Sequence, residues 1–249
     1  MSTRTVETLP LPDHDEAMRL AAEEYHRILR VVDDLTQLDW LRPTECPGWT
    51  VKDVLSHILG MLASQADPAE RARQVSMAVQ IAQQIGGRRI DAMTGMQVRE
   101  HAHLSTSELS RALYETVPRA LAARGWLTAE QREASYDPGL RGEGPWTLGY
   151  LFDVIHTRDP WMHRIDICRA TGREPVVTTE HDGRLIADVV AEWSVRHGRP
   201  FTLVLTGPAG GRFAVGTGGA HLELDAIAFC RTLSGREPGD DLLATRVPF

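Results

Sequence analysis

The residues best placed to do chemistry in this sequence are His156, Asp159 and His163, spaced i, i+3 and i+7. If the stretch is helical, that spacing puts all three on one face. A further histidine, His57, sits in an apolar run with Val54, Leu55, Ile58, Leu59 and Leu62. Imidazole nitrogens and a carboxylate oxygen projecting inward from neighbouring helices form a donor set that a divalent transition metal accepts. Most of the other histidines, His14, His26, His101, His103 and His181 among them, stand among polar residues and read as solvated.

Competing readings stand beside this one. Asp159-Pro160 is also the pattern of a helix N-cap followed by proline at the first helical position, as in Asp67-Pro68, and on the residues alone the cap is favoured. Pro160 also breaks the ideal spacing between His156 and His163. His57 taken alone reads as a core histidine bonded to a carbonyl or carboxylate. Cys46 precedes a Pro-Gly turn, while Cys168 and Cys230 lie in apolar helical stretches, where a cysteine is a small buried hydrophobe.

The elements that must position these groups are mostly helical. Asp13 with Glu16 opens a first helix reaching about Thr36, and Thr50 with Asp53 makes a capping pattern for the helix that carries His57. Asp67-Pro68 starts a third helix that Gly86-Gly87 can interrupt, and Ser105 with Glu108 opens another that Gly125 ends. A polar loop covers 136–144. A helix from about Trp146 then carries the candidate residues, bent or divided at Pro160. After a linker, 172–177, comes an amphipathic helix over Asp182 to His197. From Phe201 the period changes to that of strands: FTLVLTG, RFAV and HLEL, separated by glycine-rich turns, read as a three-strand meander before a closing helix from Ala226 to Leu233.

Composition narrows the function classes. The chain has 249 residues, 42% of them hydrophobic, enough for one main core and a smaller second one. A formal charge of -7 and the lack of a basic run argue against nucleic acid as a partner. No stretch approaches the length of a membrane span, and the N-terminal residues lack the apolar core of a signal peptide, so no membrane association and a cytoplasmic location are expected. Three cysteines without paired spacing fit a reducing compartment.

The segment LRPTECPGWTVKDVLSHI, Leu41 to Ile58, resembles the signature of the mycothiol-dependent maleylpyruvate isomerase N-terminal domain, a DinB-like bundle. The stretch from Asp159 to Ile167 is similar to the family's later carboxylate-and-histidine pattern. From about Pro175 to Phe249, including Leu233-Ser234-Gly235-Arg236, the chain is similar to the small domain that follows the bundle. The resemblance implies an α+β protein: a DinB-like four-helix metal-binding bundle over 1–173 and a small mixed α/β domain over 174–249. It implies His57, Asp159 and His163 as ligands of a divalent metal, usually zinc, with a fourth position open.

The resemblance further implies mycothiol as thiol cofactor or co-substrate. In an isomerase reaction its thiolate would add to an activated double bond, permit rotation and leave; relatives can instead transfer the thiol. Arg236, with Arg231, would then bring positive charge to a small electrophilic or anionic substrate. His156 would be a fourth ligand, a partner of a ligand or a general acid/base. Trp49 reads as a loop anchor. A metal-binding or small-ligand-binding protein without catalysis, on the same scaffold, is the other reading. This chain departs from the family isomerase at Asp159, where that protein has glutamate, and at Pro160, which follows it directly.

Overall fold

A computed structural model of the protein describes residues 3–6, 9, 12–140 and 142–249. The reading of the N-terminal residues as free of a signal peptide, and part of the 136–144 loop, fall outside them. The chain divides into two compact units, residues 14–174 and residues 1–13 with 175–249.

The larger unit is built on four helices, α1 (His14–Asp33), α2 (Val51–Ala66), α5 (Thr106–Gly125) and α7 (His156–Thr171). They close into a ring in which α1 and α2 each touch both α5 and α7. Tyr25, Ile28, Leu55, Ile58, Leu62, Leu109, Leu113 and Ile167 meet in its core, all nearly or fully shielded from water. The helix starts follow their local chemistry. Thr50 accepts from the Asp53 amide while the Asp53 side chain accepts from the Thr50 amide, and Ser105 and Glu108 repeat the arrangement. Asp67 caps α3 (Pro68–Ile85), and Gly86, at φ +68°, ends it in the left-handed conformation that glycine adopts without strain. α4 (Arg89–His101) then returns along α3, and both pack on α2.

The approach to α7 differs from the sequence expectation. Trp146 and Thr147 do not start a helix: as β3 they pair antiparallel with β2 (Ser135–Tyr136), joined after the short helix α6 (Ala129–Glu133). The helix starts only after Thr147 Oγ1 accepts from the Tyr150 amide at 2.9 Å. Its first turns, Tyr150–Ile155, are π-helical, and α7 continues from His156 through Pro160. Asp159 is therefore inside the helix and is not its cap. Pro160 has no N–H to give His156 O, its i−4 carbonyl. Tyr25 Oη and Arg124 Nη1 donate to that oxygen instead, each at 3.2 Å, so the proline is absorbed without a break.

Glu24 and Arg164 join α1 to α7 by Nε–Oε1 and Nη2–Oε2 contacts of 2.7 and 3.1 Å, with almost no exposure of either side chain. Two-point geometry of this kind offsets the cost of burying both charges only while both are present.

In the smaller unit, four strands lie in the order β1 (Thr3–Thr5), β5 (Gly211–Val215), β4 (Phe201–Thr206), β6 (Ala220–Asp225). The three C-terminal strands are not a meander. β5 pairs antiparallel with β4, but β6 pairs parallel with β4 on its other side. The chain makes this crossing over Pro200, at the start of β4. There Gly219, at φ +90°, runs so close that a Cβ would lie 2.0 Å from the Pro200 carbonyl oxygen. β1 adds to the far edge in parallel with β5, so the first residues group with the C-terminal unit rather than with the bundle. Helices α8 (Asp182–His197) and α9 (Ala226–Ser234) complete this unit around Trp193, whose ring centroid lies 4.8 Å from Phe201 and 5.3 Å from Phe229. Among the described residues no helix is long and apolar enough to cross a membrane.

Removing one member of the buried pair leaves an uncompensated charge. Glu24→Ala is expected to cost about 3–5 kcal/mol in urea unfolding, and Glu24→Leu combined with Arg164→Met is expected to recover most of that loss.

Candidate metal centre

Two elements bring the centre together. His57 projects from α2, and Asp159 and His163 lie one turn apart on α7, which packs beside it. His57 Nε2 is 3.3 Å from Asp159 Oδ2, and His163 Nε2 is 3.5 Å from Asp159 Oδ1. Ligand atoms bound tetrahedrally to zinc are about 3.3 Å apart, so these spacings, which are also those of histidine–carboxylate ion pairs, fit a coordination shell. Both histidines are buried, and Asp159 is partly buried.

The partners of the two rings decide which nitrogen carries a proton. Gln97 uses its amide nitrogen to donate to Gln74 Oε1 at 2.7 Å, so its oxygen is the atom facing His57 Nδ1, also at 2.7 Å. Nδ1 of His57 must then be the donor. Gln74 is fixed in turn by donating to Gly60 O at 2.9 Å and to Glu70 Oε1 at 2.8 Å. A side chain at Gly60 would meet Gln97 at 2.6 Å, so glycine here lets α4 and its glutamine approach α2. His163 Nδ1 faces Asp166 Oδ2 at 3.0 Å, and a carboxylate only accepts. Both imidazoles therefore keep Nδ1 as a donor and turn Nε2 toward Asp159, where a metal would take the place of the Nε2 proton that the carboxylate otherwise accepts.

Burial disfavours a charge on His57, but the Asp159 carboxylate and the bonds to Asp159 and Gln97 outweigh it and raise the ring's pKa. His156 is the opposite case. Burial, then the Arg124 guanidinium, push its pKa down to about 3. Its ring stacks edge-on against Phe152 at 5.0 Å, and His156 is not among the residues whose ligand atoms converge.

Trp49 is more than a loop anchor. Its ring packs on the bundle core and also lies 5.4 Å from His57 and 6.4 Å from His163, centroid to centroid. The turn that holds it is type II: Trp49 N donates to Cys46 O at 3.0 Å, with Pro47 second and Gly48 third at φ +80°. Cys46, just before the Pro-Gly pair of this turn, is half-buried, and its sulfur lies 3.5 Å from Asp166 Oδ2. Three histidines read as solvated are also engaged: His181 is buried, His14 bonds Asp153 at 3.0 Å, and His101 Nδ1 lies 2.8 Å from Gln97 O. Arg231 and Arg236 belong to the smaller unit. Arg231 is buried and paired with Glu237 at 2.9 Å, while Arg236 is half-buried just after Gly235, which ends α9.

The model of the mycothiol maleylpyruvate isomerase N-terminal domain matches residues 21–168, more than half of the chain and a span that includes His57, Asp159 and His163. This chain belongs to that family. Two crystal structures are similar over 95% of this chain and 93% of theirs: that of the mycothiol-dependent maleylpyruvate isomerase, at TM-score 0.60 and 15% identity, and that of a histidine-to-alanine mutant of it, at 0.59 and 14%. At such identity the likeness is one of fold, and it extends beyond the family domain into the C-terminal unit. Among curated proteins nothing matches the chain.

The Gln74–Gln97 relay has a measurable consequence. Gln97→Leu, close in volume but without the acceptor, is expected to weaken metal binding 10- to 100-fold in chelator competition, with native helical content; unchanged affinity would show that the relay does not set the ligand.

Proposed function

We propose that this chain is a metal-dependent enzyme that uses mycothiol as thiol cofactor or co-substrate, in a maleylpyruvate-isomerase-like reaction or a thiol S-transfer. The observation that carries the reading is the convergence of His57 Nε2, Asp159 and His163 Nε2, with both Nδ1 protons held elsewhere. Membership of the mycothiol maleylpyruvate isomerase family supplies the thiol, since that is the cofactor its name carries. Three protein ligands leave room for an exogenous one, the pattern of catalytic rather than structural zinc. A divalent cation such as zinc, held there by His57, Asp159 and His163, would supply a Lewis acid that favours the thiolate form of a thiol at neutral pH.

The chain's own residues set the rest. Asp159 lies between the two imidazoles and supplies the negative charge of the ligand set. Trp49 covers one side of both rings with an apolar face that excludes water. His156, neutral at working pH, shapes the surroundings as an uncharged ring and is a poor proton donor there. Arg236, with Arg231, is kept as a candidate for an anionic group of thiol or substrate; Arg231 also pairs with Glu237.

Elemental analysis of the purified protein, paired with calorimetric titration of mycothiol and a control low-molecular-weight thiol, tests this reading. Near-stoichiometric divalent metal and mycothiol-selective binding are expected, both lost in His57→Ala. Mycothiol binding that is absent, or that persists undiminished in His57→Ala, would overturn it.

A further inference from the structure

A second group of ligand atoms lies on the opposite edge of His163. Cys46 Sγ is 3.8 Å from His163 Nδ1 and 3.5 Å from Asp166 Oδ2, and the last two are 3.0 Å apart. A tetrahedral cation bound by sulfur, nitrogen and oxygen separates its ligands by about 3.3–3.6 Å, so sides of 3.0, 3.5 and 3.8 Å need shifts of only a few tenths of an ångström. Each corner is held. Cys46 is fixed by the type II turn and by its amide's bond to Thr44 Oγ1 at 3.2 Å, and His163 and Asp166 are one turn apart on α7. Asp166 and His163 are buried, while Cys46 is half-buried and gives the group an edge toward solvent. A thiol, an imidazole and one carboxylate select zinc-like, thiophilic cations over magnesium or calcium.

We propose that Cys46 Sγ, His163 Nδ1 and Asp166 Oδ2 form a second binding site for a thiophilic divalent cation. The site shares His163 with the centre above but stands on separate distances and a separate donor set. Filling it releases the Cys46 thiol proton and the His163 Nδ1 proton to solvent. The second release breaks the bond to Asp166 that orients the ring toward Asp159. With both sites filled, the ring bridges two cations as an imidazolate, so the second cation binds more weakly than the first. The two sites are coupled through one ring, and an excess of such a cation perturbs the His57 centre.

Cobalt(II) titration of the metal-free, full-length protein distinguishes the two sites, because thiolate ligation adds a near-ultraviolet charge-transfer band that imidazole and carboxylate do not give. The other two cysteines are buried and belong to neither group. The first equivalent is expected to bind without the band and the second to bring it in. Cys46→Ser should lose the band and the second equivalent yet keep the first, which also reports that the variant is folded; His57→Ala should keep the band. A wild-type protein that shows no band in excess cobalt, or a band that survives Cys46→Ser, would overturn the second site. A band that arrives with the first equivalent and a stoichiometry untouched by His57→Ala would instead sink the His57 centre and leave this one standing.

Discussion

An imidazole offers a lone pair only from the nitrogen that carries no proton, and in water the two neutral tautomers are close in energy. In this protein the choice is made by acceptors placed beyond the rings. Gln97 and Asp166 each hold an Nδ1 proton, so both Nε2 atoms face Asp159. The arrangement reaches further than the site. Gln97 is oriented by Gln74, Gln74 by the Gly60 carbonyl, and the approach of α4 to α2 depends on Gly60 having no side chain. The α3–α4 pair, which lies outside the four-helix ring, thereby becomes part of the candidate metal centre's support.

The same economy governs α7. It carries two of the three candidate ligands in the described group, Asp166, and a proline at a position where a helix ordinarily breaks. A π-helical entry and two donors from other helices, Tyr25 and Arg124, satisfy the carbonyl that Pro160 leaves without a partner. Arg124 is wholly buried to do so, and burial lowers its pKa. With the Glu24–Arg164 pair, these contacts make α7 a rigid platform for Asp159.

Much of this was legible from the sequence because it is local. Thr50 with Asp53, Asp67-Pro68 and Ser105 with Glu108 announce helix starts through bonds spanning three residues, and the Leu41–Ile58 segment resembles its family strongly enough to imply the bundle and His57. What could not be read is what depends on distant pairing. Gln74 and Gln97 look like ordinary helix polar residues until α3 and α4 fold onto α2. Cys46 looks like an ordinary turn residue until its turn meets α7, although the i, i+3 spacing of His163 and Asp166 was a usable signal. Asp159-Pro160 was read as a cap because local physics prefers it, and the cap was overridden by donors more than thirty residues away. β6 lies on the far side of β4 because glycines let the chain cross Pro200, and β1 joins the sheet only through β5.

X-ray absorption at the zinc edge, on protein loaded with one equivalent of zinc and no thiol, tests the ligand set most directly. The account predicts a shell of two imidazole nitrogens with oxygen and no sulfur. A sulfur scatterer at this loading, or a shell with fewer than two imidazoles, would contradict a centre built on His57, Asp159 and His163.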